Sequence, residues 1–218
     1  GLVGSEMCIR DRYLREGMKW SDGAPFTADD FVFWYEDLAT NPDVGPLLGI
    51  NNLSMWDTAK IEKQDDYTVL VTFDVGTPSF LVKMQKAGQS QGIWAPKHYL
   101  MQYHAKYNEQ AAEIAAEEGY ENWMLCLKAH YDRGQGSTDY GPDITPFILY
   151  NIDANGNKYF KRNPYYFAVD QAGNQLPYID EQLCVIVQDS QARTLKMING
   201  ELDAAGENPL PVSDYTLY

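Results

Sequence analysis

Histidines are the first residues to test for chemistry, because imidazole can bind a metal or transfer a proton near neutral pH. The chain has three, His98, His104 and His130. None lies in an HExxH pattern, and no two are four residues apart, the spacing that places a metal-binding pair on one face of a helix. The sequence therefore predicts neither a metal centre nor a histidine general base.

A second candidate is the start of a calcium-binding loop. Asp153, Asn155 and Asn157 have the spacing of its first, third and fifth ligands. An EF-hand loop also needs glycine at its sixth position and a bidentate glutamate at its twelfth. Lys158 and Pro164 occupy these positions, so we do not predict an EF-hand.

Motifs for phosphate binding are absent from the sequence. Gly134-Gln135-Gly136 lacks the third glycine that would open a helix, and GxxxxGK[ST] does not occur. With 31 acidic residues, some carboxylates fall close together by chance, so no glycosidase-type pair is inferred. We predict that the protein is not an enzyme and carries no cofactor or metal.

The three cysteines are Cys8, Cys126 and Cys184, and no CxxC pair occurs. So few and so widely spaced, they indicate neither a disulfide framework nor a zinc ribbon. With Cys8 set aside because it lies in the opening residues 1–12, at most one disulfide is possible, between Cys126 and Cys184.

Charge and composition narrow the class of protein. Lys and Arg total 17 against 31 Asp and Glu, giving a formal net charge of −14, and the mean hydropathy is −0.44. Such a chain lacks the basic face with which a protein neutralises nucleic-acid phosphates. Its 44% hydrophobic and 13% aromatic residues are too many for a disordered chain. We therefore expect a folded, globular chain that does not bind nucleic acid.

The clearest predicted element is a helix beginning after Thr27. Thr27 is a suitable N-cap, Asp30 follows three residues later as in a capping box, and Phe26 and Phe31 have the spacing of a hydrophobic staple. Apolar residues then recur at helical spacing and predict one buried face. They are Phe31, Trp34, Tyr35 and Leu38. The residues expected to face water are Asp29, Asp30 and Glu36.

Further along the chain, strand and helix patterns alternate. The predicted elements are an irregular connection at 41–55, a hairpin at 59–63 and 67–73, a helix at 77–88, a helical region at 98–131 broken at Gly119, a hairpin at 147–150 and 158–162, a strand at 184–187, a helix at 190–198 and a strand at 202–204. The turn-rich stretch 134–146 predicts a domain boundary, and Asn155-Gly156 is typical of a tight hairpin turn.

Two parts of the chain carry a more specific signal. Residues 14–30 read LREGMKWSDGAPFTADD. Residues 161–167 read KRNPYYF, residues 173–181 read GNQLPYIDE and residues 199–203 read NGELD. In order and spacing they resemble the family 5 extracellular solute-binding proteins, the oligopeptide- and dipeptide-type receptors of ABC importers. The resemblance covers residues 13–218.

This resemblance implies an α/β (mixed α+β) fold of the periplasmic-binding-protein-like class II type, of which the chain forms part of the larger lobe. Residues 1–12, which resemble a translated sequencing adapter, are expected to be a non-native leader. Residues 13–136 are expected to form a small β-rich subdomain with helices. Residues 137–218 are expected to form part of an α/β sheet subdomain, cut short before the second lobe.

The implied function is that of the extracytoplasmic solute-binding component of an ABC importer, in the periplasm or at the cell surface. It would capture oligopeptides or similar oligomeric solutes and deliver them to the membrane permease subunits, acting as a monomer. An oligosaccharide ligand is an alternative, because tyrosine and tryptophan suit sugars as well as peptides. An enzyme or a signalling receptor on the same fold are further alternatives.

Ligand contacts are expected just after the strand predicted at 202–204. By resemblance, the chain crosses between the lobes there and lines the cleft. Glu207 and Asn208 are the polar residues of this crossing, and we expect both to contact ligand.

Overall fold

The computed structural model describes residues 8–50, 59–74, 93–132 and 138–204. In these ranges the chain forms two three-stranded antiparallel sheets with short helices, which confirms the mixed α/β class. The strands are β1 (Cys8–Tyr13), β2 (Ala59–Asp65), β3 (Thr68–Phe73), β4 (Phe147–Ile152), β5 (Lys158–Arg162) and β6 (Glu181–Cys184). The helices are α1 (Ala28–Phe33), continued as a π-helix over Trp34–Ala39, α2 (Val44–Leu47), α3 (Lys97–Leu100), α4 (Ala111–Glu117), α5 (Trp123–Tyr131) and α6 (Ser190–Ile198).

The first sheet has the strand order β1-β3-β2. The hairpin of β2 and β3 is confirmed, and Val69, Val71 and Phe73 on β3 alternate as buried residues with half-buried neighbours. Residues 8–12 of the expected leader, together with Tyr13, pair along the other edge of β3. The open edge of a strand offers unpaired N–H and C=O groups to any extended segment beside it.

Helix α1 begins as its cap predicts. The Thr27 side chain accepts from the backbone of the first turn, and the Asp30 carboxylate accepts from Thr27 N at 3.0 Å. The rings of Phe26 and Phe31 lie 5.5 Å apart, which confirms the staple. The expectation that Asp30 faces water is wrong, because this side chain is buried and hydrogen-bonded to neighbouring segments.

The helical region expected at 98–131 is interrupted between α3 and α4. Polar side chains in this gap bond nearby backbone N–H groups: His104 Nδ1 accepts from Lys106 N at 3.1 Å, and Asn108 Oδ1 accepts from Gln110 N at 3.0 Å. Such local bonds compete with helical ones. Asn122 caps α5 by accepting from Leu125 N at 3.0 Å, as expected.

The connection expected to be irregular at 41–55 contains the single helical turn α2. Asn41 Oδ1 accepts from Asp43 N at 3.0 Å and from Val44 N at 3.2 Å, and this organises the start of the turn. The helix expected at 77–88 lies outside the described residues.

The second sheet has the order β4-β5-β6. The strand expected at 184–187 instead ends at Cys184, which pairs with Lys158 at the start of β5. Beyond that point β6 has no β5 residue to pair with, and Ile186 N bonds the Asn157 side chain at 3.0 Å instead. The prediction of a strand at 202–204 is also wrong, because residues 201–204 adopt no strand structure. Helix α6 is confirmed, with Asp189 as its cap.

Most buried apolar side chains belong to the part before residue 132, where α1 and the first sheet pack on α3 and α5. The largest of those that are fully buried are Trp20, Tyr131, Phe33, Phe73, Leu38, Leu48, Ile61, Leu100 and Leu127. Within the described ranges, none of the helices is long and apolar enough to cross a membrane.

Candidate functional site

The two residues expected to contact ligand, Glu207 and Asn208, lie outside the described residues, so their role stays a prediction. The described part contains two arrangements with the geometry of a site. One is an open aromatic cavity, and the other is a polar cluster around His130.

The aromatic cavity has a volume of about 360 Å³. Its lining residues are Met18, Phe26, Phe31, Trp94, Ile144, Thr145, Pro146, Tyr166 and Phe167. Phe26, Phe31 and Trp94 form one aromatic group, with ring centroids 5.5 to 6.2 Å apart. This lining suits an aliphatic or aromatic group and brings no acid, base or nucleophile pair into the cavity.

Asp30 positions the first wall of the cavity, which consists of Phe26, Phe31 and Trp94. Its Oδ2 accepts from Thr27 N and from Trp20 Nε1 at 3.1 Å, and its Oδ1 accepts from Lys97 N at 3.1 Å. The Asp30 carbonyl also accepts from Ala95 N at 3.1 Å, beside Trp94. Burial raises the pKa of Asp30, although these donors favour its charged form.

Asn163 positions the second wall of the cavity, which consists of Thr145, Pro146, Tyr166 and Phe167. Its side chain is fully buried and donates through Nδ2 to Thr145 O at 3.0 Å, while Oδ1 accepts from Tyr165 N at 2.9 Å. Its backbone N donates to Pro146 O at 2.9 Å. One asparagine therefore holds both second-wall segments, around residues 145 and 166.

The two walls meet where the signature segments 14–30 and 161–167 contact each other. Arg15 Nη1 donates to Phe167 O at 2.8 Å, and the Lys19 ammonium lies 5.3 Å from the centre of the Tyr165 ring. Gly23 has a φ of +92°, and a Cβ there would lie 3.2 Å from the Tyr165 hydroxyl. The signature residues therefore join the part of the chain that carries the first sheet to the part that carries the second.

The polar cluster lies between α4, α5 and the segment after residue 138. His130 Nε2 lies 2.8 Å from Glu118 Oε2, and His130 Nδ1 lies 2.9 Å from Asp139 Oδ1. The imidazole stacks on the Tyr103 ring at 3.8 Å. Cys126 Sγ approaches the same Glu118 oxygen at 3.5 Å.

Burial and charge shift two pKa values in this cluster. Burial alone would lower the pKa of His130, but the hydrogen bonds to Asp139 and Glu118 outweigh it and raise that pKa. Burial, reinforced by the Glu118 charge, raises the pKa of Cys126 to about 12. In this arrangement the imidazolium bridges two carboxylates, and Cys126 is a thiol.

The histidines do not converge. His98 Nε2 pairs with Asp22 at 2.7 Å, and buried His104 approaches the Asp37 carbonyl at 3.4 Å. Cys126 and Cys184 are both free, so the one disulfide considered possible is not formed. The spacing Cys126-x-x-x-His130 is the sequence signal for two residues of this cluster. A search for pairs of histidines alone does not detect it.

The comparisons with known proteins agree with the signature segments. Residues 12–216 match the family described as "Bacterial extracellular solute-binding proteins, family 5 Middle". A periplasmic alpha-galactoside-binding protein of Rhizobium meliloti is 33% identical over 171 residues, which are 78% of this chain and 22% of that protein.

Solved structures resemble the chain over most of its length. An oligopeptide-binding protein OppA is 33% identical with a TM-score of 0.81, and the match covers 96% of this chain and 33% of OppA. The binding protein MelB of Agrobacterium fabrum, solved with stachyose, is 27% identical with a TM-score of 0.68, over 88% of this chain and 26% of MelB.

The chain thus spans between 22% and 33% of the length of these relatives. The family match includes the second sheet, strands β2 and β3 of the first sheet, and the contact between the signature segments. The chain therefore belongs to the family 5 bacterial extracellular solute-binding proteins.

Proposed function

We propose that the protein containing this chain is the solute-binding component of an ABC importer, and that it captures an oligomeric solute outside the cytoplasm and delivers it to the permease. The observation that carries this proposal is the family match over residues 12–216. It acts by binding, without catalysis, as a monomer in the periplasm or at the cell surface.

Oligopeptides are the first candidate ligands. This choice is supported by the OppA structure, which matches 96% of the chain with a TM-score of 0.81. Oligosaccharides with α-galactosidic bonds are the second candidate. They are supported by the Rhizobium meliloti galactoside-binding relative and by the MelB structure with stachyose.

Glu207 and Asn208 are the proposed ligand contacts within this chain. They lie in residues 137–218, the second of the two proposed subdomains of the larger lobe. The first proposed subdomain is residues 13–136. An acidic and an amide side chain can bind a peptide amine or N–H groups, and they can also accept hydrogen bonds from sugar hydroxyls. They therefore suit both candidate ligands.

Calorimetry on the whole protein that contains this chain tests the proposal, with tri- to pentapeptides in one series and raffinose and stachyose in the other. We expect saturable, micromolar-class binding, about −8 kcal/mol, in one series. A Glu207→Ala, Asn208→Ala double variant should bind at least about tenfold more weakly, a loss of roughly 1.4 kcal/mol.

The matched control is an Asn199→Ala, Glu201→Ala double variant, which removes the same two side-chain types from the exposed end of α6. Its affinity should be unchanged. Binding of neither series would overturn the proposed function, and equal affinity in both double variants would overturn the proposed contacts alone.

A further inference from the structure

Three metal-binding atoms converge where α4 meets α5. Cys126 Sγ, a ring nitrogen of His130 and a Glu118 carboxylate oxygen all lie within 4.8 Å of one another. Cys126 and His130 are four residues apart on α5, so their side chains lie on one face of the helix. Glu118 is the C-cap residue that directly follows α4. In the part of the chain that the structure describes, this is the only such group of three.

We propose that Glu118, Cys126 and His130 bind one divalent zinc-type cation. Thiolate, imidazole and carboxylate are the ligands that Zn²⁺ takes in proteins, with bonds of about 2.0 to 2.3 Å that place tetrahedral ligands roughly 3.3 to 3.8 Å apart. Cys126 Sγ and Glu118 Oε2 already have a suitable distance of 3.5 Å. His130 Nε2 and Glu118 Oε2, at 2.8 Å, need to separate by about 0.5 Å to reach that range.

The residues behind His130 already have the arrangement that a metal ligand needs. Asp139 Oδ1 lies 2.9 Å from His130 Nδ1 and accepts its N–H, which leaves Nε2 to face the cation. The Tyr99 hydroxyl donates to the same carboxylate at 3.0 Å. The stacked Tyr103 ring fixes the plane of the imidazole. A carboxylate–histidine–metal chain of this kind sets the tautomer and orients the ligand.

The hydrogen bonds of the cluster show which protons the cation displaces. The Cys126 S–H donates to Glu118, and the protonated Nε2 of His130 faces the same oxygen. Binding forms bonds from the cation to sulfur, nitrogen and oxygen and releases these two protons to solvent. The thiolate and the Glu118 carboxylate then balance the two positive charges. The Glu118 side chain is 36% exposed, so a water can reach the cation as its fourth ligand.

This inference goes beyond the proposed function and does not depend on it. The cation would tie the end of α4 to α5, and the transported solute takes no part in this site. A metal titration and a solute titration can therefore fail separately.

The test uses the whole protein that contains this chain, without a polyhistidine tag and stripped of metal by a chelator. Titration with Co²⁺ should give thiolate-to-cobalt charge-transfer absorption that saturates at one equivalent and disappears on addition of Zn²⁺. Cys126→Ser should abolish this absorption. Asp139→Asn should weaken Zn²⁺ binding about 10- to 100-fold, as the loss of a carboxylate behind a ligating histidine does.

Matched controls are Cys184→Ser and His98→Gln, which change the other described free cysteine and a histidine outside the cluster. Both should bind Co²⁺ and Zn²⁺ as the wild type does. The proposal is overturned if the wild type gives no charge-transfer absorption, or if Cys126→Ser retains it.

Since Cys126 is buried, circular dichroism must show that the Cys126→Ser variant folds. If the Cys126→Ser variant does not fold, the Glu118→Gln variant tests the site instead, because Glu118 is exposed at the end of α4. A Zn²⁺ affinity in Glu118→Gln equal to that of the wild type would then overturn the site. A rise in Tm on addition of Zn²⁺ to the wild type, absent in Glu118→Gln, supports it.

Discussion

Asp30 is an acidic side chain that belongs to the core because its neighbours supply hydrogen-bond donors. Burying a carboxylate is costly unless such donors surround it. Here three N–H groups do so, from Thr27, Trp20 and Lys97. The carboxylate therefore caps α1 and also connects the helix to two other segments.

Asp30→Ala should lower the free energy of unfolding by at least about 3 kcal/mol, because it leaves these three N–H groups without their acceptor. Urea denaturation measures the loss. Asp29→Ala is the matched control, since Asp29 is half-exposed and pairs with Lys63 at 2.8 Å, and should cost less than about 1 kcal/mol. Similar losses in the two variants would contradict the role assigned to Asp30.

Thr27→Ala should cost about 1 kcal/mol, because it removes the other half of the capping box. Thr27→Ser keeps the hydroxyl and should be close to wild type in thermal unfolding. Ligand affinity of the whole protein should be unchanged in both variants. A loss of affinity in Thr27→Ala at unchanged Tm would indicate a binding role instead of a structural one.

At the level of elements, two turns of the second half share one design, Asp-x-x-Gly-Asn, at 153–157 and 170–174. In each, the aspartate Oδ1 accepts from two backbone N–H groups, and Oδ2 accepts from the asparagine side chain four residues on. The carboxylates are thus satisfied within the turns. Asp153, Asn155 and Asn157, which have the spacing of calcium ligands, therefore form a turn that connects β4 and β5.

Asp170 also accepts from the Tyr178 hydroxyl at 2.5 Å. This bond, with those from Asn174, lowers the pKa of Asp170 to about 2. Since the folded pKa lies below the ordinary value of 3.8, ionised Asp170 stabilises the turn above that pH, and the contribution is lost as the pH falls towards 2.

Tyr178→Phe should therefore move the Asp170 titration midpoint up towards its ordinary value, as measured by the carboxyl carbon chemical shift. Tyr140→Phe, which changes an exposed tyrosine elsewhere, serves as the control and should leave the midpoint near 2. Equal midpoints in all three proteins would show that the Tyr178 bond does not form.

At the level of the whole molecule, burial is uneven. The first part has a continuous apolar core, whereas Pro142 and Phe160 are the two buried apolar side chains among the described residues beyond 138. Large apolar side chains around β6 and α6 are about half exposed. They are Ile179, Leu183, Ile186, Leu195 and Ile198. An exposed strand edge beside apolar side chains favours association.

We expect the 218-residue chain on its own to self-associate, and to do so more as salt screens its net charge of −14. Sedimentation velocity at low and high salt measures this. A Leu183→Lys, Ile186→Lys double variant should shift the distribution towards monomer. Val169→Lys, an equally exposed apolar site outside β6 and α6, should not. A monomeric wild type at high salt would contradict the prediction.

Local hydrogen bonds explain what the sequence determined. The cap of α1, the hairpin of β2 and β3 and the cap of α6 depend on residues within a few positions of one another, so their spacing predicts them. The signature segments likewise predicted the family, which the match over residues 12–216 confirms.

Only the tertiary structure decided the burial of Asp30, the end of β6 at Cys184 and the cluster of Glu118, Cys126, His130 and Asp139. Each depends on a partner far along the chain: Lys97 for Asp30, β5 for β6, and three separate segments for the cluster. Periodicity reports which face of an element is apolar. It does not report which distant polar group meets that face, because that contact is set by how the elements pack together.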